Sequence, residues 1–164
     1  MVAAAVACSP TLDWRELRPE GSQAHLLFPC KPASQARSVT LAGSKVEMSM
    51  FACTAANTVY ALSFADVADP GRVGPALDEL AAAAQAHVQA SSNAASQPLF
   101  VSGMTPAPQA AQWLLKGQMP DGRAVVERLA LFSRGTRVYQ ATMLGATLDA
   151  QAEETFFGAL KLGP

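Results

Sequence analysis

The stretch KVEMSMFACTAANTVYALSF, residues 45–64, decides the fold. Val46, Met48, Met50 and Ala52 recur at every second position with Lys45, Glu47 and Ser49 between them. After the polar turn at Ala56-Asn57, Tyr60, Leu62 and Phe64 alternate with Val59, Ala61 and Ser63. A period of two is the period of a strand, because successive side chains leave opposite faces of a pleated backbone. Two such runs joined by a short polar turn predict an antiparallel hairpin. Its buried face is expected to use the larger side chains, and the first strand is expected to keep one wet face.

The same signals repeat on either side. Residues 10–19 predict a short edge strand, with Trp14 and Leu17 pinning it to the body. His25 to Cys30 is an apolar run stopped by Pro29 and Pro32, and Arg37 to Leu41 alternates before the turn at Ala42-Gly43-Ser44. Downstream, Asp69-Pro70 and Gly74-Pro75 are two candidate helix starts, and Leu77, Leu80, Ala84 and Val88 fall at helical spacing, which predicts a helix over 75–90. Trp113-Leu114-Leu115, Ala124 to Phe132 and Val138 to Leu144, separated by turns at Pro120-Asp121-Gly122 and at residues 133–136, predict a three-stranded meander. A last helix is expected over 148–160, with Ala152, Phe156, Ala159 and Leu160 on one face. The sum is an α+β fold: an antiparallel β-sheet of about six to seven strands packed by two main helices.

Size and charge narrow the function. A chain of 164 residues is one domain's worth, half of its residues are apolar and only 15% are charged, which argues against disorder. No apolar run approaches the length that crosses a bilayer. Twelve basic against thirteen acidic side chains leave no field to draw in nucleic acid, and the arginines are scattered rather than clustered with aromatics.

Searching for reactive groups finds little. His25 and His87 are the only histidines and neither has a carboxylate or cysteine at ligand spacing, so no metal is expected and both read as boundary histidines. The pairs Asp78-Glu79 and Glu153-Glu154 are adjacent, hence about 100° apart on a helix, and cannot converge as an acid and a base. No glycine-rich phosphate cradle and no nucleophile elbow is present, so no catalytic residue and no cofactor is assigned. The Ser-, Ala- and Pro-rich segment 91–108 remains, and its Phe100, Val101 and Met104 form a candidate binding loop that would offer an adaptable apolar tip to a partner or ligand. The plainer reading of that segment is a connection.

The opening residues, MVAAAVACSP, form a small-residue apolar stretch ending at Cys8. This resembles the cleavage box of bacterial lipoproteins, with Ala5, Val6 and Ala7 before the cysteine. The resemblance implies that Cys8 carries a lipid, that residues 1–11 are a truncated lipoprotein signal and tether ahead of a single domain over 12–164, and that the chain faces the periplasm. Ser9 after the cysteine resembles outer-membrane sorting. Once Cys8 is set aside, Cys30 and Cys53 are the two cysteines left, and an exported domain would pair them. The alternative is a cytosolic protein with an alanine-rich tail and two buried free thiols.

The ending, GTRVYQATMLG at 135–145 followed by ETFFGALKL at 154–162, is similar to that of the PsbP-like fold superfamily. Arg137, Tyr139, Phe156, Phe157 and Leu162 stand at comparable places, while Ala159 and Leu160 replace a Ser-Phe pair. Asp13-Trp14-Arg15-Glu16 and Phe28-Pro29-Cys30 also look like uncharacterised bacterial envelope lipoproteins. The resemblance implies an α/β/α sandwich and a non-catalytic accessory role, anchored to the membrane by its lipid and binding an envelope protein partner or a small ligand. An envelope hydrolase and a purely structural envelope component are the alternatives. No functional residue carries over.

Overall fold

The computed structural model describes residues 11–91 and 94–164, so the proposed lipid site at Cys8 lies outside the described residues. The elements are β1 (Arg15–Leu17), β2 (Ala24–Phe28), β3 (Ala33–Leu41), β4 (Ser44–Ala55), β5 (Thr58–Asp66), α1 (Pro70–His87), β6 (Gln97–Pro98), β7 (Ala111–Gln118), β8 (Ala124–Arg134), β9 (Arg137–Gly145), α2 (Ala150–Gly158) and β10 (Lys161–Leu162). Seven strands form one antiparallel sheet in the order β3-β4-β5-β9-β8-β7-β6, and β1-β2-β10 form a second, smaller one. The fold is α+β, with two helices and a principal sheet of seven strands.

The register of the β4–β5 hairpin corrects one expectation. Phe51 stands opposite Leu62 and Cys53 opposite Tyr60, whereas Met48 faces Ala65 and Met50 faces Ser63. The two apolar sets of the hairpin therefore lie on opposite faces of the sheet. The row that begins wet at Lys45 and Glu47 becomes apolar at Phe51 and Cys53, because the far half of β4 runs beneath other elements.

Each face has its own core. On one, Tyr60, Leu62, Phe64, Phe132, Tyr139 and Met143 meet Leu26 and Phe28 of the small sheet and Phe156 of α2. Tyr139 is fully buried, and its hydroxyl donates to the carbonyl of Ser22 at 2.6 Å, which satisfies the phenol and ties the two sheets together. On the other face, Trp113, Leu115, Leu129, Leu131 and Val138 pack against Val73, Ala76, Leu77, Ala81 and Ala84 of α1.

Helix α1 starts at the earlier of its two signals. The Asp69 side chain accepts the N–H of Gly71 at 2.8 Å and Pro70 takes the first turn, so Pro75 falls inside the helix and the span is 70–87 rather than 75–90. Its far end rests on β7, where the Val88 carbonyl accepts the N–H of Gln118 at 2.7 Å. A Cβ on Gly117 would lie 1.8 Å from that carbonyl oxygen, so only glycine lets the helix come down there. Helix α2, capped by Asp149, ends at Gly158, and the residues after it form β10 against β2 instead of a last helical turn.

The edges of the large sheet differ. Among the described residues β3 pairs only with β4, and most of its nine residues are exposed. At the other side β7 is occupied at both ends, by β6 at Ala111 and Gln112 and by Val88 at Gln118.

Cys30 and Cys53 are joined by a disulfide across 23 residues, with their Cα atoms 6.1 Å apart. It links the bend after β2 to β4, and so fastens the small sheet to the edge hairpin of the large one. Closing a loop of that length in the unfolded chain is worth about 3 kcal/mol. Cys30→Ser/Cys53→Ser is expected to lower the unfolding free energy in urea by that amount, and addition of a reductant to the parent protein should reproduce the loss.

Candidate functional site

The face covered by α1 is not covered completely. Seven strands at about 4.8 Å spacing are some 30 Å wide, whereas one helix with its side chains spans about 10 Å. Between the C-terminal half of α1 and the strands β3, β4, β5, β9 and β8 a cavity of about 390 Å³ remains, within the range of small-ligand pockets. Ala61 and Ser63 on its floor and Ala83 and Ala84 on the helix are too small to fill it. Its walls are Met48, Met50, Val59, Leu80 and Leu144, and Gln35, Arg37, His87, Gln140 and Thr142 supply polar edges.

Glu127 is the one carboxylate in this lining. It stands on β8 between Leu115 of β7 and Leu144 of β9, on the face that buries Leu129 and Leu131. It is 4% exposed, and its Oε2 has no hydrogen-bond partner among the described residues. Burial pushes the carboxyl up to about 7, against which a hydrogen bond from Thr142 works in the other direction. The neighbouring Arg128 does not help it, because that side chain leaves the opposite face of the strand and pairs with Glu153 of α2 at 2.6 Å. Some other acidic groups are satisfied within the chain. Asp66, for example, accepts from the Thr136 hydroxyl at 2.7 Å and from the Ala68 N–H at 2.8 Å, and these bonds, with Arg137 beside it, hold it below the ordinary carboxylate value.

Ser63, His87 and Glu127 line the same cavity, the combination a hydrolase would need. The register separates them. Val59, Leu144 and Glu127 share one level of the sheet, and Ser63 shares a level with Gln140 and Leu131. Ser63 is thus two strands across and four residues along from Glu127, roughly 16 Å away. No hydrogen bond joins the three among the described residues, and those residues contain no group of histidine, cysteine and carboxylate able to hold a metal ion. The arrangement can bind, but it does not assemble a nucleophile with its base.

The candidate loop lies elsewhere. Phe100 projects, 85% exposed, but Val101 is buried in the first core and Met104 packs against it. The segment is strapped down by the N–H of Thr105 to the Ser133 carbonyl at 2.7 Å and by the Arg134 guanidinium to the Gly103 carbonyl at 2.8 Å. The structure therefore brings Phe100, Val101 and Met104 to no common tip. His25 lies on β2, on the far side of the molecule from the cavity, while His87 stands at the cavity's rim. Sequence reasoning passed over Glu127, although a signal was there: it shares the parity of Leu129 and Leu131, so a carboxylate stands in an apolar row.

No protein family, curated protein or solved structure matches this chain.

Proposed function

We propose that the chain is an exported accessory protein of the cell envelope, tethered through a lipid on Cys8, which holds a small, largely apolar ligand in the cavity under α1 without transforming it. The observation that carries the binding part is the incompletely filled space lined by methionine, leucine and small side chains, with a single unsatisfied carboxylate at one corner. Methionines suit such a site because an unbranched thioether adapts to the shape of what it meets. Export is supported by the pairing of Cys30 with Cys53, since structural disulfides persist in oxidising compartments. The tether is supported by the lipoprotein-like run into Cys8, and no helix among the described residues is long and apolar enough to cross a membrane. The accessory role follows the PsbP-like resemblance, which implies a helix on each side of an antiparallel sheet.

The test uses N-phenyl-1-naphthylamine, an apolar dye that brightens on leaving water. Saturable binding is expected at micromolar dye, and Ala61→Phe, which fills the cavity floor, should weaken it at least tenfold while leaving the thermal transition cooperative. Absence of saturable binding, or unchanged binding by the filled variant, refutes the assignment of ligand binding to this cavity. Mass spectrometry of the amino-terminal peptide from cell envelopes tests the tether, and an unmodified Cys8 would remove it.

A further inference from the structure

Resting on the reading of the cavity as a ligand site, we infer that its ligand is an amphipathic cation: a small apolar molecule with one protonated nitrogen, whose N–H groups meet the unpaired oxygen of Glu127.

Three observations converge on the Glu127 corner. First, a buried carboxyl with an unpartnered oxygen lines an otherwise largely apolar cavity. A buried acceptor left without a donor costs about 1–3 kcal/mol in an ordinary core, so the position invites a donor from outside the chain. Second, the C-terminal end of α1 lies over β7 at Gly117, two residues along the ladder from Glu127, since Gly117 pairs with Val125 and Leu115 with Glu127. A helix C-terminus carries partial negative charge, so it disfavours a second anion here and favours a cation. Third, the described residues supply no strong cation at that corner. Arg37 shares a level with Met48, Ala65, Val138 and Ser133, which puts it four strands across and six residues along from Glu127, roughly 28 Å away. β7 and β9 present Leu115, Gly117, Thr142 and Leu144 to the carboxyl, and α1 contributes His87 at the exposed rim as the one titratable side chain lining the cavity on that element.

The apolar body of the ligand then lies along Leu144, Val59 and Ala61 toward Met50, beneath Leu80. An alkylammonium is the simplest molecule of this kind. It keeps its proton to about pH 10, as a lysine side chain does. Binding it fixes Glu127 in the ionised form, so a proton leaves the carboxyl as the complex forms near pH 6, and affinity rises between pH 5 and pH 8.

Displacement of the dye by hexylamine, 1-hexanol and hexanoate decides the matter, because the three share one apolar body. At pH 8 hexylamine is expected to displace at a concentration at least tenfold below that of hexanol, with hexanoate weakest. In Glu127→Gln the amine and the alcohol should fall within twofold of each other, and in the parent protein the preference for the amine should shrink by pH 5. Hexanol equal to hexylamine, or an unchanged preference in Glu127→Gln, overturns the cation while leaving a ligand site in place. Dye that never binds removes the site itself.

Discussion

Glu127→Gln is expected to abolish a loss of stability of about 3 kcal/mol that the parent protein suffers between pH 4 and pH 8. The folded carboxyl sits at about 7 against an ordinary 4.5, because it is buried. At roughly 1.4 kcal/mol per pH unit, that difference amounts to about 3 kcal/mol. Below pH 4.5 the folded and unfolded chains both hold the proton and the group contributes nothing. As the pH rises through 4.5 the unfolded chain releases it while the folded chain keeps it, so stability falls, and the fall levels off above 7. Urea unfolding at pH 4, 6 and 8 for both proteins isolates the group, since every other titration is shared. Parallel stability profiles for the two proteins would mean that the carboxyl is solvated in the folded state.

Phe156→Ala is expected to destabilise the protein by about 3–5 kcal/mol, the range for removing a buried aromatic side chain. Phe156 is 1% exposed and meets Phe28 and Tyr60 edge to face, with centroids 5.5 and 5.4 Å away. It is the point at which α2 touches both sheets. A nine-residue helix has little stability of its own, so its hold on the domain comes from this packing. Phe157, the next residue, is only partly buried, and its replacement by alanine should cost less than half as much. Thermal and urea unfolding of the two variants make the comparison, and equal losses would show that the helix is not anchored through Phe156.

Much of this architecture could be read from local pattern. The alternation of Tyr60, Leu62 and Phe64 gives β5, and the helical spacing of Leu77, Leu80 and Ala84 gives α1, although the helix expected from residue 75 starts at Pro70, because strand and helix periods are properties of a few neighbouring residues while the choice between two start signals is not. The pairing of Cys30 with Cys53 follows from counting once export is assumed. The cavity could not be read in this way. It is assembled from six elements between Gln35 and Leu144, and a period of two does not say which of two apolar faces receives a helix, nor how much of the face that helix leaves bare. Glu127 was legible only in part: its parity with Leu129 and Leu131 puts it in an apolar row and sends the adjacent Arg128 to the other face, but only the register shows that Leu115 and Leu144 flank it. In the candidate binding loop Val101 serves the core while Phe100 projects, and composition alone does not tell which residue of such a segment turns inward.

The unequal borders of the large sheet have a further consequence. Along β3 a row of backbone amides and carbonyls has no neighbour among the described residues, whereas β7 is engaged at both its ends and β1 and β10 are only three and two residues long. In polymer terms the molecule is monofunctional. One copy can couple to another along β3, after which the described residues of neither offer a second long seam, so coupling through these edges stops at the pair.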